Sequence, residues 1–357
     1  MAQRRTLGAL QTVIKQKGYD WVAAETPQSA MSDEEQKSLL GLTVDEAELA
    51  ATAAAIQSVE SLAGFRAAPA FPAKVDWRNN GGNWVTLIKN QGNCGSCVAF
   101  GTIATLESRI RIACKNAALA IDLSEAHIFY CGCGNCCNTG WNFAPALDFC
   151  KNTGVGQEAS FPYVPGNQPC KGGVTPYAKI TAWTSVLSVA DRKNILATKG
   201  PMVAGMAVYS DFMNYRSGVY KVTSTNLVGY HCICVVGYDD TLQCWICKNS
   251  WGTGWGESGF FRIGYGQSKI DTNFAFYDMN AVCPPPPTSL CERYVPYLRS
   301  VLLAARMNAM LRACLRYYVC GVGARPLCSA AVIAVVRNVL LILQRCPQYR
   351  KPFCAAL

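Results

Sequence analysis

The amino-acid sequence predicts an α+β fold. From Val98 to about Cys114, apolar residues at Ala99, Phe100, Ile103, Leu106, Ile110 and Cys114 recur at helical spacing, with Glu107, Arg109 and Arg111 between them. Beyond residue 200 the pattern changes to strands, in "MVAGMAVY", "HCICVVGY" and "QCWICKNSW", with Asp239 and Asp240 as a turn signal between the last two. Helices first and strands afterwards indicate α+β rather than alternating βαβ units.

The chain divides by composition into four segments. Residues 1–69 are polar, Ala-rich and free of cysteine. Two helix starts are expected there, where a hydroxyl is followed three residues later by Glu: Ser32 with Glu35, and Thr43 with Glu46. Gly41 is expected to end the first of these helices. From "FPAKVDWRNNGG" onward, residues 70–282 are richer in cysteine, aromatics and glycine. Residues 283–290 form a stiff proline-rich spacer. In residues 291–357, two Leu-, Val- and Ala-rich helical segments, about 290–318 and 327–345, flank "CGVGARP". At helical spacing Arg299, Arg306, Arg312 and Arg316 share one sector of the first segment, which predicts a disulfide-stapled, cationic amphipathic hairpin.

The 357 residues are half hydrophobic and 16% charged, enough for two domains or for one domain with appendages, and unlike a disordered chain. The net charge of +10 is local: residues 283–357 hold ten Lys or Arg against the single acid Glu292, while the preceding chain is nearly balanced. Any anionic partner therefore belongs to the tail, either a membrane surface or an acidic protein, and no nucleic-acid partner is expected. The alternative for the tail is a small packed hairpin with a solvated arginine face. No uncharged apolar run reaches the ~18 residues of a membrane span. Twenty cysteines point to an oxidising compartment, secreted or lysosome- or vacuole-like. "MAQRRTLGALQTVIKQKGYDW" carries no convincing signal peptide, which leaves a removed leader, another export route, or mostly unpaired cysteines.

"QGNCGSCVAF" places Cys97 where a helix begins, so the positive end of the helix favours its thiolate; Cys94 lies in the preceding loop and gains less. The two histidines are His127 and His231. His127, beside an apolar run, reads as a core residue, whereas His231 opens an apolar strand from which an imidazole can be aimed. Asn249 can fix the tautomer of that base, and Gln91 can join the Cys97 backbone N–H in holding an oxyanion.

"QGNCGSC", "GYHCICVVGY" and "KNSWGTGWGESGFFRI" resemble the papain family of cysteine peptidases over about residues 70–280. The resemblance implies a two-lobed fold, with a helical left lobe and an antiparallel β right lobe, and peptide-bond hydrolysis through a thioester without metal or organic cofactor. It implies Cys97 as nucleophile, His231 as base and then acid, Asn249 as its orienter and Gln91 as oxyanion donor. It also implies disulfides Cys94–Cys137 and Cys131–Cys170, Trp251 over the Asn–His contact, and Trp255 on the leaving-group side. Thr139 and Gly140 would offer backbone to an extended peptide, Trp141 an apolar wall, and Gly205 a roomy opposite wall.

The chain departs from the family at Val98, where Trp is usual, and at Tyr230 and Cys232 around the histidine, and the residue flooring the main pocket within "GQSKIDTNF" is left open. "YDWVAAETPQSAMSDEEQKSLLGL" resembles short inhibitory segments of some papain-like enzymes. Residues 1–69 would then be a propeptide inhibiting the chain's own cleft and removed near Ala68–Phe71; the alternative is an ordinary helical extension. "CGCGNCC" and "CWIC" have zinc-ligand spacing, but strand geometry turns Cys244 and Cys247 to opposite faces, so a cross-strand pair such as Cys234–Cys247 is expected and no metal. The leading expectation is a cysteine endopeptidase zymogen. Its rivals are an inactive scaffold that binds, and a protease that carries a membrane-binding or partner-binding module.

Overall fold

The computed structural model describes residues 5–63, 71–284 and 295–357. The expected cleavage region near Ala68 and most of the proline-rich spacer lie outside the described residues. The chain separates into two units, Met1–Pro284 and Pro285–Leu357.

The first unit opens with α1 (Leu7–Gln16), capped by the Thr6 hydroxyl, which accepts from Ala9 N; it buries Leu10 and Ile14 at i, i+4 spacing. Strand β1 (Val22–Ala23) follows. Next come α2 (Asp33–Ser38) and α3 (Glu46–Ala63). The Ser32–Glu35 capping box forms as the sequence predicts. Two neighbouring expectations are corrected. Helix α2 is capped at its C-terminus by Leu39, two residues before Gly41. The side chain that caps α3 is Asp45, whose Oδ1 accepts from Ala47 N and Glu48 N, while the Thr43 hydroxyl donates to Trp141 O.

After β2 (Lys74–Asp76), helices α4 (Cys97–Ala113), α5 (Glu125–Gly132) and α6 (Phe143–Asn152) gather one apolar core that includes Ile103, Leu106, Phe129 and Leu147. Helix α4 is buried on every side from Cys97 to Ile110, as expected of a helix at the centre of a core. Beyond it lie β3 (Ile180–Val186), α7 (Val189–Thr198), β4 (Met202–Tyr209), β5 (Tyr215–Ser217), β6 (Val219–Tyr220), β7 (Leu227–Asp239), β8 (Cys244–Lys248), β9 (Phe260–Gly264) and β10 (Phe276–Ala281). One sheet takes the order β3-β10-β4-β7-β8-β9-β6, with β2 added to β7; β1 pairs separately with β5. All pairings are antiparallel except β6 with β9. A second core, including Met206, Phe212, Trp245 and Phe261, packs on this sheet and takes in Leu10, Ile14, Trp21 and Leu39 of the N-terminal segment.

Disulfides Cys94–Cys137, Cys131–Cys170, Cys133–Cys136 and Cys114–Cys283 staple this unit. They consume the cysteines of "CGCGNCC", and no metal-binding group of side chains occurs among the described residues. The expected Cys234–Cys247 pair does not form, and both are buried thiols. Cys234 is paired with Lys248 and Val235 with Cys247, so the side chains of Cys234 and Cys247 leave the sheet on opposite faces.

The second unit contains α8 (Val295–Met307), α9 (Ala309–Tyr318), α10 (Ala330–Arg345) and α11 (Arg350–Ala356). The first predicted segment is broken at Asn308, whose side chain accepts from Leu311 N as a new N-cap. The single arginine sector is therefore split between two helices. Leu311, Leu315, Val319, Val336, Val339, Leu343 and Phe353 form the core, locked by Cys314–Cys328 and Cys320–Cys354. No single helix among the described residues is long and apolar enough to cross a membrane.

Candidate active site

Cys97 is the first residue of α4. The residue before it, Ser96, makes no side-chain cap; its hydroxyl instead bonds the Tyr163 hydroxyl at 2.7 Å. The first amides of the helix are thereby left to face the Cys97 sulfur, which also meets the amides of Cys232 and Gly41. Cys232 directly follows His231 on β7, so helix end and strand converge here. His231 is paired across the sheet with Met206 and is completely buried.

Asn249 follows β8. Its Oδ1 lies 2.8 Å from His231 Nε2 and also accepts from Ser250 N at 2.8 Å. An acceptor held in this way places the imidazole proton on Nε2 and leaves Nδ1 as the basic nitrogen. Trp251 covers the pair, its ring 4.8 Å from that of His231. Buried Lys248 anchors the end of β8 by donating to Thr86 O and Oγ1, both at 3.0 Å. Gln91 is bound to the same turn: its N–H donates to Ser250 O, and its Oε1 accepts from Ser250 Oγ at 2.7 Å. Its Nε2 is thereby oriented, donating to Cys94 O at 2.8 Å and to Leu39 O at 3.0 Å.

Leu39 belongs to the N-terminal segment, and residues 39–43 run across the whole constellation. Leu42 forms a parallel bridge with Trp141: Trp141 N donates to Gly41 O at 2.7 Å, and Thr43 N donates to Trp141 O at 2.9 Å. On the other side Leu42 N donates to Tyr230 O, and the Tyr230 hydroxyl donates to Glu46 at 2.6 Å. The approach at Gly41 leaves no room for a side chain, since a Cβ there would stand 1.8 Å from Gly95 O. Gly140 is equally constrained, by Gly41 O.

This cover sets the electrostatics. Burial pushes the Cys97 thiol up to about 11, although the surrounding amides pull it down. Burial also drives His231 down to about 4, against the Asn249 hydrogen bond and the Leu39 backbone. The helix end alone would depress the thiol; in the covered site desolvation outweighs it. Thiol and imidazole are therefore both neutral beneath residues 39–43.

The family model described as papain family cysteine protease matches residues 71–278. The chain belongs to the papain family of cysteine proteases. This papain-family chain is 37% identical over 206 residues to cysteine proteinase 2 of Entamoeba histolytica, an overlap of 54% of this chain and 63% of that protein. With the cathepsin L-like proteinase of Fasciola hepatica the identity is 38% over 202 residues, covering 54% of this chain and 60% of the relative. The chain thus spans less than two thirds of the length of these relatives. It shares its fold with procathepsin L2 of Tenebrio molitor (TM-score 0.61, 24% identity, 76% of this chain and 87% of the other). Bromelain from Ananas comosus, solved with the E64 inhibitor, is 32% identical at a TM-score of 0.51, covering 58% of this chain and 99% of bromelain.

In the papain-family site, the structure brings together Cys97, His231, Asn249, Gln91 and Trp251. The others are placed differently. Trp141 contributes backbone to the cleft, while its ring packs inward against Phe129 and Gly132, so it is not the expected apolar wall. Thr139 is exposed beside it. Trp255 is fully buried against Phe212, Tyr215, Trp251 and Phe261 and presents no surface to the cleft in this closed form. Gly205 does face the cleft: a Cβ there would stand 2.7 Å from Phe274 and 2.8 Å from the Leu42 side chain. Sequence reasoning missed Phe274, the residue left open within "GQSKIDTNF", because its place beside Gly205 and Tyr230 depends on tertiary packing. His127 is structural: its Nδ1 accepts from Gly156 N at 3.0 Å.

Proposed function

We propose that the protein is the zymogen of a cysteine endopeptidase, residues 70–282, inhibited by its own residues 1–69 and followed by a spacer (283–290) and a C-terminal module (291–357). The observation that carries this reading is Gln91 Nε2, oriented by Ser250 at the nucleophile and donating to the carbonyl of Leu39 in the covering segment. A substrate carbonyl would replace that of Leu39. The Cys97 sulfur then attacks the carbonyl carbon, and Gln91 Nε2 with the Cys97 N–H holds the oxyanion. His231, having taken the thiol proton at Nδ1, gives it to the leaving amine as the C–N bond breaks. Water, deprotonated by His231, attacks the thioester, releases the acid product and restores the thiol. The chemistry needs no metal or organic cofactor.

The disulfides fit an oxidising compartment, and within that class a secreted or lysosome-like location is proposed. Residues 39–43 pair with the cleft as an extended peptide would, with the Leu42 and Phe274 side chains both against Gly205. A substrate with a branched aliphatic residue at that position is expected to be preferred. Gly205→Val should lower kcat/KM for such a peptide at least about tenfold, with less effect on an Ala-containing one; equal effects on the two peptides would remove Leu42 as a guide to specificity.

The test of the main reading is alkylation of Cys97. With burial pushing the Cys97 thiol up to about 11, the sulfur of the intact chain is protonated at neutral pH. Its reaction with iodoacetamide or an epoxide such as E64 should be slow and rise with pH toward that value. After removal of residues 1–69, labelling should become stoichiometric and nearly independent of pH from mildly acid to neutral conditions, as for a thiolate paired with an imidazolium. Inertness of the trimmed protein would leave a scaffold that binds without cleaving.

A further inference from the structure

We propose that the outward face of α10, together with the loop ahead of it, docks the protein onto an anionic phospholipid bilayer. The inference is independent of the catalytic reading. Helix α10 turns Val336, Val339, Ile342 and Leu343 into the core of its unit. On the opposite side it leaves Ile333 39% and Leu341 56% exposed, with exposed Arg337 midway between them. The rest of that outward side carries Ala330, Ala331 and Ala334 with Asn338, Gln344 and Arg345, so apolar side chains make up about half of a surface that is ordinarily polar. Just ahead of the helix, Leu327 is 95% exposed and Val322 50%. These residues cannot fold away, because their loop is held by the Cys314–Cys328 and Cys320–Cys354 disulfides and the core beneath is already filled.

Charge selects the occupant. Residues 295–357 contain nine Lys or Arg and no Asp or Glu. Two copies meeting through this face would bring like charges together, whereas a bilayer bearing phosphatidylserine supplies both the apolar depth for Leu327, Ile333 and Leu341 and the anionic groups for the arginines. At about 1.5 Å per residue the helix spans roughly 24 Å, short of the ~30 Å hydrocarbon core. It therefore lies in the interface rather than crossing it.

The test is co-sedimentation of the intact chain, carrying Cys97→Ala against self-cleavage, with phosphatidylcholine vesicles with and without phosphatidylserine. Binding should be at least about tenfold tighter to the anionic vesicles and weaken with added salt. Leu341→Glu, at a side chain more than half exposed, should reduce it at least about tenfold with thermal unfolding unchanged, and Ile333→Glu should reduce it as much, with circular dichroism of each variant checking that the fold is kept. Arg337→Gln should weaken binding to anionic vesicles only. Failure to bind any vesicle, or full binding by both glutamate variants, overturns the proposal. So does salt-sensitive association of the chain with itself that Leu341→Glu abolishes while vesicle binding is absent.

Discussion

Replacing Cys97 by alanine is expected to lower peptide hydrolysis by about 10⁴-fold or more and to abolish self-removal of the N-terminal segment. The substitution deletes one buried sulfur and leaves Gln91, Ser250, His231 and Asn249 bonded to one another, so the loss is chemical and not structural. His231→Ala should cost a comparable factor, since the same nitrogen takes and returns the proton. Asn249→Ala should cost less, because it holds the tautomer and takes no part in the bonds that break. Hydrolysis of a fluorogenic peptide by the trimmed enzymes, with circular dichroism as a control for folding, checks all three. Turnover by Cys97→Ala within about tenfold of the parent would falsify the assignment of the nucleophile.

The second large effect is expected at Gly41. An alanine there places its Cβ 1.8 Å from Gly95 O and 2.2 Å from Gly95 C, both backbone atoms that no rotamer change can move. The covering segment must lift, which breaks the bond from Trp141 N to Gly41 O and draws Leu39 O away from Gln91. Overpacking of this kind costs about 3 kcal/mol, about a hundredfold in the ratio of closed to open forms. Cys97 in the intact Gly41→Ala chain should therefore be alkylated at neutral pH at least about a hundredfold faster than in the parent. An unchanged rate would mean that residues 39–43 are not what shields the sulfur.

The sequence disclosed whatever depends on neighbours along the chain or on motifs of fixed spacing. The Ser32–Glu35 box closes within one turn, and the apolar periodicity of 98–114 maps directly onto a buried helix. It did not disclose features decided by remote partners. Gly41 looks like a helix stop because glycine often is one, yet its real constraint is Gly95, far along the chain. Thr43 looks like a cap, but its hydroxyl is claimed by Trp141. Phe274 sits in a stretch with no period, and only the fold sets it beside Gly205. In the C-terminal unit the arginine sector assumed an unbroken helix, which Asn308 interrupts.

The Cys114–Cys283 disulfide joins the residue capping the end of α4 to a point two residues beyond β10. Tension on the chain beyond Cys283 would otherwise be borne by the ladders of β10, which can unzip one rung at a time. The crosslink passes that tension instead to a helix embedded along most of its length, so the peptidase body can be tugged from its C-terminal side without fraying the sheet that aims the imidazole.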